Sequence, residues 1–159
     1  MRIRPARADE ADLLGSIAFE SKAYWPYPPE AMAGWRDALV VRLEPRDRRP
    51  AFVAEADGEI AGFCQLVLEG DEPELEHLWV RPAWIGKGVG RTLLGRAGAL
   101  LAELGHVRMR IDADPNAEAF YLHCGAMRQG EVAAPIPGDG RRVRPQLLLD
   151  VARLLSSTT

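Results

Sequence analysis

The stretch from Glu74 to Leu94, ELEHLWVRPAWIGKGVGRTLL, constrains the fold of this chain more than any other. It predicts a strand over Glu74 to Val80, an arm broken by Pro82, a glycine loop, and a helix starting near Gly88 or Gly90. Val89, Leu93, Leu94, Ala97, Leu100, Leu101 and Leu104 then recur at helical spacing and make one apolar face. A helix that opens in a glycine turn presents unpaired backbone N–H groups and the positive end of its dipole. Gly86, Gly88 and Gly90 carry no Cβ, so an anion can come close to the main chain. The stretch therefore predicts a cradle for a phosphate or pyrophosphate.

At 159 residues, 47% of them hydrophobic, the chain is long enough to bury a real core, and one domain over residues 1–159 is expected. Its net charge of −3 supplies no field that would draw it to nucleic acid or to an anionic membrane. No apolar run approaches the roughly 18 residues of a spanning helix. The opening MRIRPARADEADLL lacks the uninterrupted apolar segment of a signal peptide. Cys64 and Cys124 are too few for a disulfide framework and show no metal-ligand spacing. The expectation is a reducing, cytoplasmic setting with no metal.

Taken in order, Met1 to Arg7 predicts a short strand, and Asp9 a helix cap ahead of Leu13, Leu14, Ile17 and Ser21 on one helix face. The prolines of Ala23-Tyr-Trp-Pro-Tyr-Pro-Pro29 end that helix. A second helix is expected from Pro28 or Pro29, burying Met32, Trp35 and Leu39, before a charged loop over Glu44 to Pro50. Ala51 to Leu68 predicts a hairpin about Asp57-Gly58 with both turn residues at positive φ. After the long helix, Gly105 is a C-terminal stop, and Val107, Met109, Ile111 and Ala113 share one side of a strand. Pro115 opens a short helix closed by Gly125. Residues 130–143 are expected as a loop, Pro145 to Val151 as a last strand, and Ser156 to Thr159 as a frayed tail. Short turns make the second to fourth strands antiparallel, and the long crossover helix makes the fourth and fifth parallel. The fold class is α+β, an α/β/α arrangement of a mixed, mostly antiparallel sheet with helices on both faces.

Three ligands compete for the glycine loop. A nucleoside-triphosphate loop needs four residues between its first glycine and Gly-Lys-Ser/Thr, whereas Gly86 leads to Gly90-Arg91-Thr92 with three between. A dinucleotide fingerprint needs G-x-G-x-x-G directly after a strand; the spacing here is G-x-G-x-G, and Arg81 to Ile85 intervene. The third matches better. VRPAWIGKGVGRTLL followed by NAEAFYLHCGA resembles the acyl-coenzyme A site of the GNAT superfamily of N-acetyltransferases. The resemblance covers about Phe52 to Met127 well. The family loop runs R/Q-x-x-G-x-G/A, and Ile85 stands where Arg or Gln is usual, which removes a side-chain contact but not the backbone cradle.

The resemblance implies a sheet splayed between strands 4 and 5 and a protein that takes acetyl-CoA. Its pyrophosphate would lie on the amides of Gly86, Lys87, Gly88, Val89, Gly90 and Arg91, with Ile85 also at the cofactor, and its pantetheine beside Leu78, Trp79 and Val80, with Asn116 and Phe120 as further cofactor residues. Asn116 either caps its helix or contacts the pantetheine, and Lys87, Arg91 and Arg96 are in reach of the adenosine phosphates or lie on a solvated helix face. The resemblance also implies that Tyr121 protonates the leaving sulfur, with a backbone N–H near Val80 as the oxyanion donor. Period-two geometry places Glu74, Glu76, Leu78 and Val80 on one strand face, and family habit puts the amine-activating base at such a position. Glu74 and Glu76 are the two candidates, the alternative being two carboxylates facing water. His77 falls on the opposite face as a structural residue, and Cys64 as a core residue. His123 and Cys124 are adjacent on a helix and cannot pair. Tyr24, Trp25 and Tyr27 line the acceptor pocket or pack as an aromatic cluster. Arg141, Arg142 and Arg144 make a solvated charge run or steer an acidic acceptor. The expected activity is direct acetyl transfer to a primary amine of a small molecule or peptide, by a chain that family habit makes a homodimer. The rival is a non-catalytic acyl-CoA-binding or regulatory module on the same fold.

Overall fold

A computed structural model describes residues 1–156. In chain order the elements are β1 (Arg2–Pro5), α1 (Ala11–Ala23), α2 (Pro29–Gly34), β2 (Ala51–Ala56), β3 (Glu59–Val67) and β4 (Glu74–Val80). They continue with α3 (Val89–Glu103), β5 (Arg108–Asp112), α4 (Glu118–His123), β6 (Met127–Ala133), β7 (Val143–Asp150) and α5 (Val151–Ser156). The strands form one sheet in the order β1-β2-β3-β4-β5-β7-β6. Asp57 and Gly58 both take positive φ, 52° and 79°, so the β2–β3 turn is the tight one its sequence predicts. The parallel pair is β4 with β5, because α3 carries the chain across between them. These two strands pair only at Glu74–Arg110 and Leu75–Ile111. Beyond Leu75 they part, and the expected α+β sheet splayed between strands 4 and 5 is the one observed.

Apolar periodicity decides which helix covers which face. Leu93, Leu94, Ala97 and Leu101 of α3 pack with Tyr121 and Leu154 on Cys64, Leu66, Leu75, Met109 and Ile111. Leu14, Ile17 and Ala18 of α1 pack on Val53, Ile60 and Phe63 of the other face. Leu13 is exposed instead of sharing that helix face, since a 3-10 turn over Ala8–Glu10 sets the phase of α1 and leaves Leu13 off the Leu14–Ile17 stripe. The acid at this entry is Glu10, not Asp9. Its carboxylate accepts from the Arg7 N–H at 2.7 Å and from both Arg4 terminal nitrogens. The Arg4 guanidinium holds Glu10 down to about 2, so this buried acid stays ionised.

Other expectations shift where pairing overrides pattern. Part of the expected 130–143 loop is strand: β6 runs to Ala133 along β7, although its residues are all exposed and show no apolar alternation. Val107 precedes β5 and is exposed, its carbonyl accepting the Val151 N–H at 2.9 Å. α2 is short, and the expected Leu39 reaches the core from the irregular segment after it. The last strand stops at Asp150, where α5 begins. Leu154 of α5 fills the space over Gly98, where any Cβ would stand 2.7 Å from it. Ser156 of the expected tail closes α5, and residues 157–159 lie outside the described residues.

Candidate active site

The glycine turn delivers α3 to the opening of the sheet. Gly86 has φ 81°, and Gly88, the residue before α3, has φ 82° and ψ 6°, a conformation that strains any residue with a Cβ. The Thr92 N–H donates to Gly88 O at 3.0 Å, the bond that closes the first helical turn. The N–H groups of Val89, Gly90 and Arg91 therefore have no carbonyl one turn back. Within the expected Gly86 to Arg91 cradle one amide is already engaged, the Lys87 N–H donating to Trp84 O at 3.3 Å; just before it the Ile85 N–H donates to Pro82 O at 3.3 Å. The Lys87 ammonium lies over the Trp84 ring, 5.2 Å from its centroid. At Gly90 a Cβ would stand 3.1 Å from Phe120 Cζ, so the missing side chain lets α4 close against α3.

A cleft of about 570 Å³ occupies the gap between β4 and the α3 and α4 starts. It gathers Leu78, Trp79, Val80, Ile85, Gly86, Gly88, Val89, Gly90, Arg91, Asn116 and Phe120, every expected cofactor residue except Lys87, and adds Tyr121 and Trp25. The Arg81 N–H donates to Ala61 O of β3 at 2.9 Å, so the Val80 N–H before it points the other way, into the gap. Tyr121 is 6% exposed, and burial pushes its phenol well above the ordinary value, so it is protonated at any working pH. Among the described residues no hydrogen-bonding partner meets its hydroxyl. Arg96 does not line the cleft; its guanidinium stacks 4.4 Å from the Phe52 centroid.

The expected common face of Glu74, Glu76, Leu78 and Val80 is not formed. Gln65 pairs with His77 and Leu66 with Leu75, which leaves Glu76 as the extra residue of a β-bulge. The bulge resets the alternation, so Leu75 is the residue that shares the α3 side with Leu78 and Val80, and Glu74 turns away. Neither glutamate lines the cleft. Glu74 lies 3.9 Å from Arg110. Partial loss of water, then the Glu74 and Asp112 carboxylates, push Glu76 upward against the pull of Arg49. His77 is buried beside Phe63, its Nδ1 accepting the Trp79 Nε1–H at 3.1 Å, and burial lowers it to about 4. It is neutral and structural, as is Cys64, whose thiol lies 3.7 Å from Leu93 O.

A buried polar cluster that local sequence patterns did not reveal stands at the end of the cleft. Asp114 lines the cleft beside Ser21 and Asn116. Its Oδ2 accepts from Lys22 Nζ at 2.8 Å and from the Tyr27 hydroxyl at 2.7 Å. Its Oδ1 accepts from the Asn116 N–H at 2.8 Å and from Asn116 Nδ2 at 3.1 Å. Asp114 thus takes the capping role open to Asn116, whose side-chain donors go to Asp114 and to Tyr27. Trp25 lines the cleft, Tyr24 stands exposed with its ring edge on Trp25, and Tyr27 faces a neighbouring groove. Burial and then the Asp114 bond push the Tyr27 phenol up to about 12. The solvated arginine run divides: Arg141 is exposed, Arg144 pairs with Asp112 at 2.8 Å, and Arg142 is buried against Tyr27 and Trp35. Asp114 carried one local signal, an Asp before Pro-Asn at a helix start. Lys22 and Arg142 carried none.

An open mixed sheet with an amide-lined helix start at its gap is the fold of N-acetyltransferases. The family model described as "Acetyltransferase (GNAT) family" matches residues 17–126, and the chain belongs to that family. It is 33% identical over 121 residues to a mycothiol acetyltransferase of Clavibacter sepedonicus, covering 73% of this chain and 38% of that protein. The chain thus spans less than half the length of that curated relative. Among solved structures, a GCN5-related N-acetyltransferase from Rhodopseudomonas palustris superposes with TM-score 0.75 at 21% identity, covering 94% of each chain. The PaiA N-acetyltransferase of Thermoplasma acidophilum, solved in complex with coenzyme A, gives 0.67 at 20% identity over 94% of this chain and 99% of that one.

Proposed function

We propose that this chain moves an acetyl group from acetyl-CoA directly to a primary amine, in a ternary complex formed in the cytoplasm. The observation that carries this reading is the cleft with free helix-start amides along its wall and an unpartnered, protonated phenol opening into it. Acetyl-CoA supplies the activated thioester. The N–H groups of Val89, Gly90 and Arg91 bind its diphosphate at the positive helix end. The Val80 N–H, aimed into the gap, stabilises the oxyanion. Tyr121, which burial keeps protonated at neutral pH, gives its proton to the sulfur as the carbon–sulfur bond breaks. Glu76, on the bulge, takes the amine proton through water, with Glu74 beside it to keep its affinity for protons high.

Two measurements test the reading. Acetyl-CoA at a hundred times its Kd should raise the melting temperature by about 8 °C by mass action. Free-thiol release against a panel of primary amines should then identify turnover. Binding without transfer to any amine would favour the non-catalytic module. For the base, kcat/KM should fall as pH drops through the raised Glu76 value, since only the carboxylate accepts a proton. Glu74→Gln removes a like charge and should move that acidic limb to lower pH, and Glu76→Gln should abolish it. Unchanged limbs in both variants would remove both glutamates from the reaction.

A further inference from the structure

Two buried cations share one half-buried anion where the turn before α4 meets the end of α1. Lys22 Nζ lies 2.8 Å from Asp114 Oδ2, and Arg142 Nη2 lies 3.6 Å from the same oxygen. Among the described residues no other carboxylate ion-pairs with either cation. Asp114 has little left to offer, since Tyr27 and Asn116 also donate to it. Lys22 turns to Trp35, 3.9 Å from the ring centroid. Arg142 is 7% exposed; its Nη1 donates to Ala134 O at 3.1 Å, its Nη2 to the Tyr27 hydroxyl at 3.3 Å, and its Nε is buried without a partner. One positive charge is therefore held out of water with no anion of its own, an arrangement that favours any anion able to reach it.

Arg142 also lines a groove of about 820 Å³ walled by Tyr27, Pro28, Pro115, Asn116 and Pro137. Asn116 lines this groove and the cleft as well, so the two spaces meet at that residue. The proline walls have no N–H to donate and the Asn116 donors go to Asp114 and Tyr27, which leaves recognition of an anionic group chiefly to the Arg142 guanidinium. One acid shares the wall, the exposed Asp139, whose carboxylate accepts the Arg141 N–H at 3.2 Å. We propose that this groove is a subsite for a carboxylate carried by the amine acceptor, with Arg142 as its partner. The proposal rests on the acetyl-transfer reading and narrows its acceptor to amino acids and related amino carboxylates. A second ammonium group on the acceptor would meet the surplus positive charge and be disfavoured.

Calorimetric titration of the coenzyme A-saturated protein with glycine, β-alanine, 4-aminobutyrate and 6-aminohexanoate, each beside its primary amide, tests this. At one length or more the acid should bind about tenfold tighter than its amide, an advantage that shrinks as salt is added. Arg142→Gln should erase the advantage while coenzyme A affinity stays within about twofold, and Arg142→Lys should restore part of it. The proposal is overturned if no acid outbinds its amide in the unmodified protein, a comparison that needs no variant to fold. It is equally overturned if Arg142→Gln keeps the preference. Failure of coenzyme A to bind would strike the acetyl-transfer reading instead, and the acid–amide comparison on the unliganded protein would still decide the subsite.

Discussion

Tyr121→Phe is expected to lower kcat and kcat/KM together by about a hundredfold or more, with little change in the Kd for acetyl-CoA. The size follows from losing a positioned general acid, and the selectivity from what the hydroxyl touches. It opens on the cleft without a hydrogen bond to any described residue, while the ring remains packed with Phe120, 5.3 Å away between centroids. Removing such a hydroxyl breaks no internal bond, so stability should change by less than about 1 kcal/mol. Steady-state kinetics with free-thiol detection, beside a melting curve, would check both halves. Turnover kept at the wild-type level would take the proton donor's role away from Tyr121. A large drop in melting temperature would show instead that the hydroxyl holds the fold.

Asp114→Ala should be the most destabilising of the substitutions considered, by about 3 kcal/mol, or a fall of about 8 °C in melting temperature. The loss comes less from the bonds removed than from what stays behind. Lys22 and Arg142 would remain buried with no carboxylate of the described residues within ion-pairing reach, and Tyr27 and Asn116 would lose their common acceptor. Burial already pulls Lys22 down, while Lys22, the Tyr27 hydroxyl and the Asn116 N–H keep Asp114 ionised against its own burial. Adding Lys22→Met to Asp114→Ala should recover a good part of the loss, because one stranded charge is gone and the apolar stem still packs on Trp35. Thermal unfolding of the single and double variants decides this. A double variant no more stable than Asp114→Ala alone would mean that stranded charge is not the cause.

Much of the site was legible because its parts are short-range. The Gly86-x-Gly88-x-Gly90 turn, the apolar stripe from Val89 to Leu101, the Asp57-Gly58 hairpin and the Asn116-to-Gly125 helix each lie within a window that turn chemistry and periodicity control. The order of those windows is enough to make the fourth and fifth strands parallel, and a short parallel pairing leaves the gap that the cleft fills. The face carrying Glu74 and Glu76 was not legible, since one residue too many opposite β3 resets the alternation and only pairing reveals the bulge.

What the amino-acid order determined by itself is the scaffold: strands, crossover and glycine-started helix, whose signals are local and repeat at 2 or 3.6 residues. What tertiary structure alone decided is the polar interior. Lys22 and Tyr27 from one segment and Arg142 from another, 115 residues beyond Tyr27, meet on the Asp114 carboxylate. No window of sequence distinguishes such a buried lysine or arginine from a solvated one. Apolar surface finds any apolar surface, so its pattern is written locally, whereas a buried charge is tolerated only beside specific partners that folding brings to it.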